Sequence, residues 1–378
     1  MYFDLLRLSA ALEVFVFHLA GLPNTGASKA LWNSFGHEAV VVFFVLSGFV
    51  IPFSTTPPRT TGVDPRPPAG VRAYAVARLT RVYSVVLPCL VLTYVFDRTG
   101  QAIDPQLYSG MPPPGSDFLR LLMGATMLNE AWVSIQIMSN TPFWSISYEF
   151  WYYVIFATLF YCRGRTRIAL TAGVMLIASP NIMLLFPIWA VGWLAFRETA
   201  TRRWRKSMIW LAFVQPAVVF AVYYNLDLQR AGGQWLERGL GHDFWWTQMA
   251  WSRYLLTDTM LACSIALNLT AAKQLGPELN AVIGFFRSPI RWGVARSFTL
   301  YLLHQPAILV VTAVLAAYFP NERSAVLIAT IALVIIAVVA QVTEMQRGRL
   351  KPLVRWLVDL VSDRLKALRG VKQYRAQS

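Results

Sequence analysis

Arg7 and His18 stand eleven residues apart in Arg7-Leu-Ser-Ala-Ala-Leu-Glu-Val-Phe-Val-Phe-His18, inside a run that is otherwise apolar. Three helical turns separate them, so on a helix both face one way, about 16 Å apart along the axis. That is about half the hydrocarbon thickness of a bilayer. Ionisable groups in mid-span cost about 2.5–3.5 kcal/mol and usually face a cavity or a partner. The pair therefore predicts a chemical site built through a membrane, with a guanidinium suited to phosphate at one level and an imidazole suited to proton transfer at the other.

Of the whole chain, 56% is hydrophobic and only 14% charged, which excludes an ordinary soluble domain. The pattern predicts an all-α fold, a polytopic membrane helix bundle with about ten transmembrane helices at 2–22, 37–53, 82–96, 144–161, 166–180, 182–196, 208–225, 253–271, 297–318 and 324–342. Residues 1–342 read as one transmembrane domain. The tail 343–378 reads as a basic amphipathic segment on the anionic cytoplasmic leaflet, with Leu350, Leu353, Val354, Leu357 and Leu360 at helical spacing.

The net charge of +15 is not a nucleic-acid footprint, because it alternates from loop to loop. Segments 54–81, 162–167, 197–207, 272–296 and 343–378 hold 26 of the 34 Lys and Arg, while the intervening loops hold Lys29, Arg98, Arg120, Arg230, Arg238 and Arg323. By the positive-inside rule the rich set is cytoplasmic, which places both termini there. Asp4, Arg7 and Glu13 interrupt the first helix, so it reads as a retained span and not a cleaved signal. Three cysteines imply no disulfide framework, and the four histidines show no metal-ligand spacing. The longer outer loops 97–143, with Pro112-Pro113-Pro114, and 226–252, with Trp235, Trp245, Trp246 and Trp251, suit either an acceptor-site cap or interfacial anchoring.

Several local patterns together resemble the acyltransferase-3 family of integral-membrane O-acyltransferases. They are Arg7 to His18 with Asp4 one turn before, Ser47-Gly48-Phe49, Arg78-x-x-Arg81-x-Tyr83 with Ser84 where the family has proline, Trp144-Ser145-x-Ser147-x-Glu149, and Ser297-x-x-x-Tyr301-Leu302-x-His304. The resemblance implies transfer of a short acyl group from acyl-CoA to a hydroxyl of a cell-envelope or secreted sugar, and the abundance of acetyl-CoA makes acetyl the expected group. It implies a stand-alone transferase without an appended esterase-like domain, in a bacterial inner membrane.

The charge rule sorts the candidates into two tiers. Arg7, Ser47, Gly48, Arg78 and Arg81 lie toward the cytoplasm and suit the phosphates of CoA. The alternatives are the positive-inside rule for the arginines and small-residue helix packing for Ser47-Gly48. His18 and Glu149 are expected at a similar, outer depth, as a base with an orienting carboxylate or as a plain bond between helices. Asp258 is a further candidate partner, unless it pairs with Arg253. Tyr301 and His304 share a face and either line an acyl channel or bridge helices. Glu13, about 140° around the helix from His18, is expected to pair with another helix. His37 and His242 fall at the outer boundary without an evident role. The rival reading is a transporter of a lipid-linked or acylated glycan, which inverted repeats would support and this sequence does not show.

Overall fold

The computed structural model describes residues 1–22, 35–54, 70–112, 115–198, 200–319 and 324–375. Lys29, Arg59, Arg66, Arg323 and Pro113-Pro114 lie outside the described residues. Most of those described are helical, with no strand among them. In chain order the helices are α1 Tyr2–Ala20, α2 Gly36–Val50, α3 Val71–Ile103, α4 Asp117–Ala125, α5 Trp144–Tyr161, α6 Gly164–Arg197 and α7 Lys206–Asn225. They continue as α8 Leu228–Leu240, α9 Leu255–Gln274, α10 Gly276–Ile283, α11 Arg287–Val294, α12 Ser297–Tyr318, α13 Ala325–Val342 and α14 Arg347–Arg375.

Among these residues, six helical stretches are long and apolar enough to cross a membrane: α3, α6, α7, Ala250–Gln274 around α9, α12 and the α13–α14 stretch, with α2 a shorter apolar helix. The outside of the bundle agrees with that solvent. Val91, Leu176, Val218, Val326 and Val338 are all more than 60% exposed, whereas the aromatic side chains Phe15, Phe49, Tyr148, Tyr152 and Trp189 fill the interior. The chain is an integral membrane protein. The end of the bundle where α1 begins is called proximal below, and the end where α1 finishes distal.

Three features place the site. First, α2 and α6 cross at backbone contact. A Cβ on Gly48 would stand 2.0 Å from the Trp189 carbonyl oxygen, and one on Gly192 1.9 Å from that of Val45, so only glycine permits this approach. Gly48 thus permits close helix packing here.

Second, the expected spans 166–180 and 182–196 are continuous in α6 except at Ser179, whose φ of 77° breaks the helix before Pro180. The two arms run in opposite directions along α5. Thr171 meets Thr158 toward the proximal end of α5, Ile182 accepts from Tyr152 further up, and Trp189 lies back beside Phe156.

Third, α5 begins inside the bundle and not at its distal surface. The segment before it dips inward. Asn140, 1% exposed, donates to the Leu302 carbonyl at 2.7 Å, and Ser139 is held by both oxygens of buried Asp97. Positive φ angles at Met127, Trp132 and Met138 let this segment fold back. Starting low shifts every residue of α5 toward the proximal end.

Helix α3 extends beyond the expected span at both ends. It starts at Val71, so Arg78 and Arg81 lie two to three turns inside a helix and not at its threshold. The tail helix α14 packs along α3, where Arg72 forks onto Asp359 through Nε and Nη2, both at 2.5 Å.

Candidate functional site

The polar centre of the bundle forms around Glu149. Ser47 Oγ donates to its Oε1 at 2.5 Å, and the Tyr153 hydroxyl, one turn along α5, donates to the same oxygen. Trp189 Nε1 donates to Ser47 Oγ at 3.3 Å, so the glycine crossing of α2 and α6 also sets the serine. Arg7 and Arg81 join Ser47 and Glu149 around a small cavity of about 40 Å³, whose distal wall includes Ser145 and Tyr301. Their hydroxyls lie 2.6 Å apart. Arg78 sits over the rings of Tyr74 and Tyr153 at 5.8 and 5.4 Å, with its Nε unpartnered among the described residues.

His18 is not beside Glu149, contrary to their expected pairing. Because α5 starts low, the carboxylate falls level with Ser47 and Arg7, and the ring next to His18 is His304, centroids 5.0 Å apart. His304 is fully buried, and its Nδ1 lies 2.8 Å from the Tyr301 carbonyl. A carbonyl only accepts, so Nδ1 carries the proton and Nε2 presents a lone pair. That Nε2 has no partner among the described residues. Two imidazoles thus adjoin one another one turn distal to the Tyr301–Ser145 pair.

A further cluster lies at the distal mouth. His37 Nε2 contacts both oxygens of Asp258 at 2.9 and 3.0 Å, and Asp258 is fully buried. Asp258 therefore pairs with His37 and not with Arg253. Arg253 lies over the Trp246 ring at 4.1 Å and donates to the Ala250 carbonyl. Trp144 stacks on Trp251 at 4.8 Å with an interplanar angle of 6°, and the His37 ring lies beyond it at 6.4 Å. Of these, His37, Trp251 and Arg253 join Phe17, Glu38, Gln229 and Tyr254 around a cavity of about 380 Å³.

Of the remaining candidates, Tyr83 donates to the Ala125 carbonyl and ties α3 to α4, and Ser147 donates to Asn129 at 2.5 Å beneath the dipping segment. Asp4 lies 3.8 Å from the chain's amino group. Glu13, expected to pair with another helix, has an Oε1 without a partner among the described residues. No cluster of metal-ligating side chains occurs among them.

Tyr153 and Trp189 are not singled out by the sequence, Ser145 enters only within the Trp144–Glu149 pattern, and His37 has no evident role there. Tyr153 stands four residues after Glu149 and was legible as an i, i+4 neighbour. His37 and Asp258 are 221 positions apart, and nothing local signals their meeting.

The bundle thus holds a polar core of Arg, Glu, Ser and Tyr with two adjoining imidazoles on its distal side. The chain matches the family described as "Acyltransferase domain" over residues 2–342, and it belongs to that family of acyltransferases. No curated protein and no solved structure matches it.

Proposed function

We propose that the protein moves a short acyl group, acetyl for preference, from cytoplasmic acyl-CoA to a hydroxyl of a cell-envelope or secreted glycan on the opposite face of a bacterial inner membrane. The proximal end of the bundle is then cytoplasmic, both termini lie inside, and the two arms of α6 count as separate spans to give ten. At this proximal end α14 presents Trp356, Leu357 and Leu360 as exposed apolar side chains, which supports its resting on the inner leaflet.

The observation that carries this reading is the order of groups along the bundle. Arg7, Arg81, Ser47 and Glu149 share one proximal tier, Tyr301 with Ser145 comes next, and His18 with His304 lies beyond. Guanidinium groups at the proximal end suit the phosphates of CoA, with Arg78 beside them. The acyl thioester reaches past Tyr301 to the imidazoles. There His18 takes the proton of the attacking hydroxyl, the hydroxyl oxygen bonds to the acyl carbon, and the carbon–sulfur bond breaks to release CoA thiol. A relay through an acyl-imidazole on His18 uses the same order of groups. In either version Glu149, bound to Ser47 and Tyr153, organises the donor side of the path and not the base.

Release of CoA thiol by the protein in nanodiscs, with acetyl-CoA and a panel of envelope sugars, tests the activity. His18→Ala should lower transfer by about 10²–10⁴-fold while donor binding persists. Arg81→Ala should instead weaken donor binding, with Arg81→Lys recovering only part because it loses the planar fork. A His18→Ala variant that folds and turns over like the native chain would overturn the assignment. An acyl adduct on His18, trapped with donor and no acceptor, would select the relay.

A further inference from the structure

An unassigned cavity of about 460 Å³ lies between α1, α2, α7 and α9, partly open at the side of the bundle. Most of its wall is apolar, from Leu6 and Ala10 on α1 to Ala217 on α7 and Ile265 on α9. Two carboxylates break that wall, and their placement is informative. Glu38 is 5% exposed; its Oε1 accepts from the Tyr223 hydroxyl at 2.8 Å, but its Oε2 has no partner among the described residues. Glu13 Oε1 is likewise buried and unpartnered among them.

The two carboxylates form one tier. A Cβ on Gly36 would meet the Phe17 ring at 2.5 Å, which sets the start of α2 level with Phe17 on the antiparallel α1. Counting inward from there, Glu38 lies level with Phe15 and Glu13 about 3 Å deeper, at 1.5 Å per residue. Polar groups at the other end of the cavity are already satisfied. Tyr2 donates to Asn268 Oδ1, Asn268 donates to the Phe213 carbonyl, and Ser264 bonds Gln215. The cavity therefore has its buried unpartnered oxygens at its distal end, and along the rest it is apolar or satisfied apart from the exposed Ser9. Glu38 also lines the distal pocket that holds His37 and Arg253, so the two cavities meet at this side chain.

Bilayer acyl tails explain an apolar wall but not buried carboxylate oxygens, which are costly to leave without a donor. We propose that the acceptor is amphipathic: its apolar chain lies in the α1–α2–α7–α9 cavity, hydroxyls of its head bond Glu13 and Glu38, and the rest of the head occupies the distal pocket beside His37 and Arg253. A membrane-soluble polyol, such as a sugar on an alkyl or prenyl chain, has that chemistry. The word acceptor rests on the acyltransferase reading; the amphipathic ligand itself does not.

The test uses the full chain in nanodiscs and a dodecyl glucoside carrying a diazirine near the chain end. Photolabel should map to α1 and to α7 or α9 near Ala217 and Ile265. Excess plain dodecyl glucoside should suppress it, and methyl glucoside should not. Glu38→Gln should weaken binding about tenfold, the loss of one hydrogen bond to a charged group. Ala217→Trp, which fills the cavity, should abolish labelling with unchanged thermal unfolding; the chain-length comparison on the native protein stands even if that variant misfolds. Labelling elsewhere, equal competition by methyl glucoside, or equal labelling by a diazirine phospholipid would overturn the proposal. Photolabelling needs no turnover, so its failure and a failure to release CoA thiol are separate results.

Discussion

Among single residues, Glu130 shows how this protein confines charge outside its spans. It is 3% exposed in the segment before α5, with Asn129 and Ser134 as partners and no cation, and burial pushes its carboxyl up to about 8. A carboxyl raised in the folded state holds its proton more tightly there than in the unfolded chain. Its stabilising contribution is full below about 4.5 and is lost as pH rises through about 8. Thermal unfolding of the native chain in nanodiscs should accordingly fall in midpoint between pH 5 and pH 9. Glu130→Gln, which stays neutral, should flatten that slope, and an unchanged slope would place the titrating group elsewhere. Glu149 illustrates the converse: inside the bundle its hydrogen bonds from Ser47 and Tyr153 tie three side chains of two helices into one unit.

For the elements, the crossing of α2 and α6 is the contact on which site geometry most depends. Ser47 is held at one point by Glu149 of α5 and at another by Trp189 of α6, and the latter exists because Gly48 and Gly192 bring the two backbones together. Adding even one methyl at Gly192 drives it against the Val45 carbonyl, which is backbone and cannot rotate away. Overpacking of this kind costs about 1–3 kcal/mol. Gly192→Ala should lower the unfolding midpoint by several degrees and slow acyl transfer more than Val218→Ala does on the outer face of α7. A Gly192→Ala protein with native midpoint and rate would show that the crossing relaxes freely. Helix α5 carries a second lesson, since its low start moves Glu149 away from His18 and leaves His304 as the neighbour.

For the molecule as a whole, the reading of donor and acceptor sides depends on orientation. In a cysteine-free background, Lys206→Cys at the start of α7 and Arg238→Cys on α8 are both exposed, at opposite ends of the bundle. With the proximal end inside, the first should react only with membrane-permeant maleimide in whole cells, and the second also with an impermeant one. Labelling of Lys206→Cys from outside would reverse the direction in which acyl-CoA and acceptor approach. The same orientation puts the paired carboxylates Glu13 and Glu38 in the outer half of the membrane, next to the distal pocket.

The sequence alone determined that this is a helical membrane protein and where most of its helices lie, because apolar runs of bilayer length and alternating basic loops are local properties. It also determined the family, because Arg7 and His18, Ser47-Gly48, Arg78 and Arg81, and Trp144 to Glu149 are short patterns readable within single helices. Which side chains meet was left to the tertiary structure. The level at which α5 starts depends on a dipping segment held by Asp97 and by the Leu302 carbonyl, contacts 42 and 162 positions distant in the chain. That level decides that Glu149 joins Ser47 and Arg7, and that His18 faces His304. The His37–Asp258 pair and the Glu13–Glu38 tier arise in the same way, from the packing of helices whose individual sequences carry no trace of the partner.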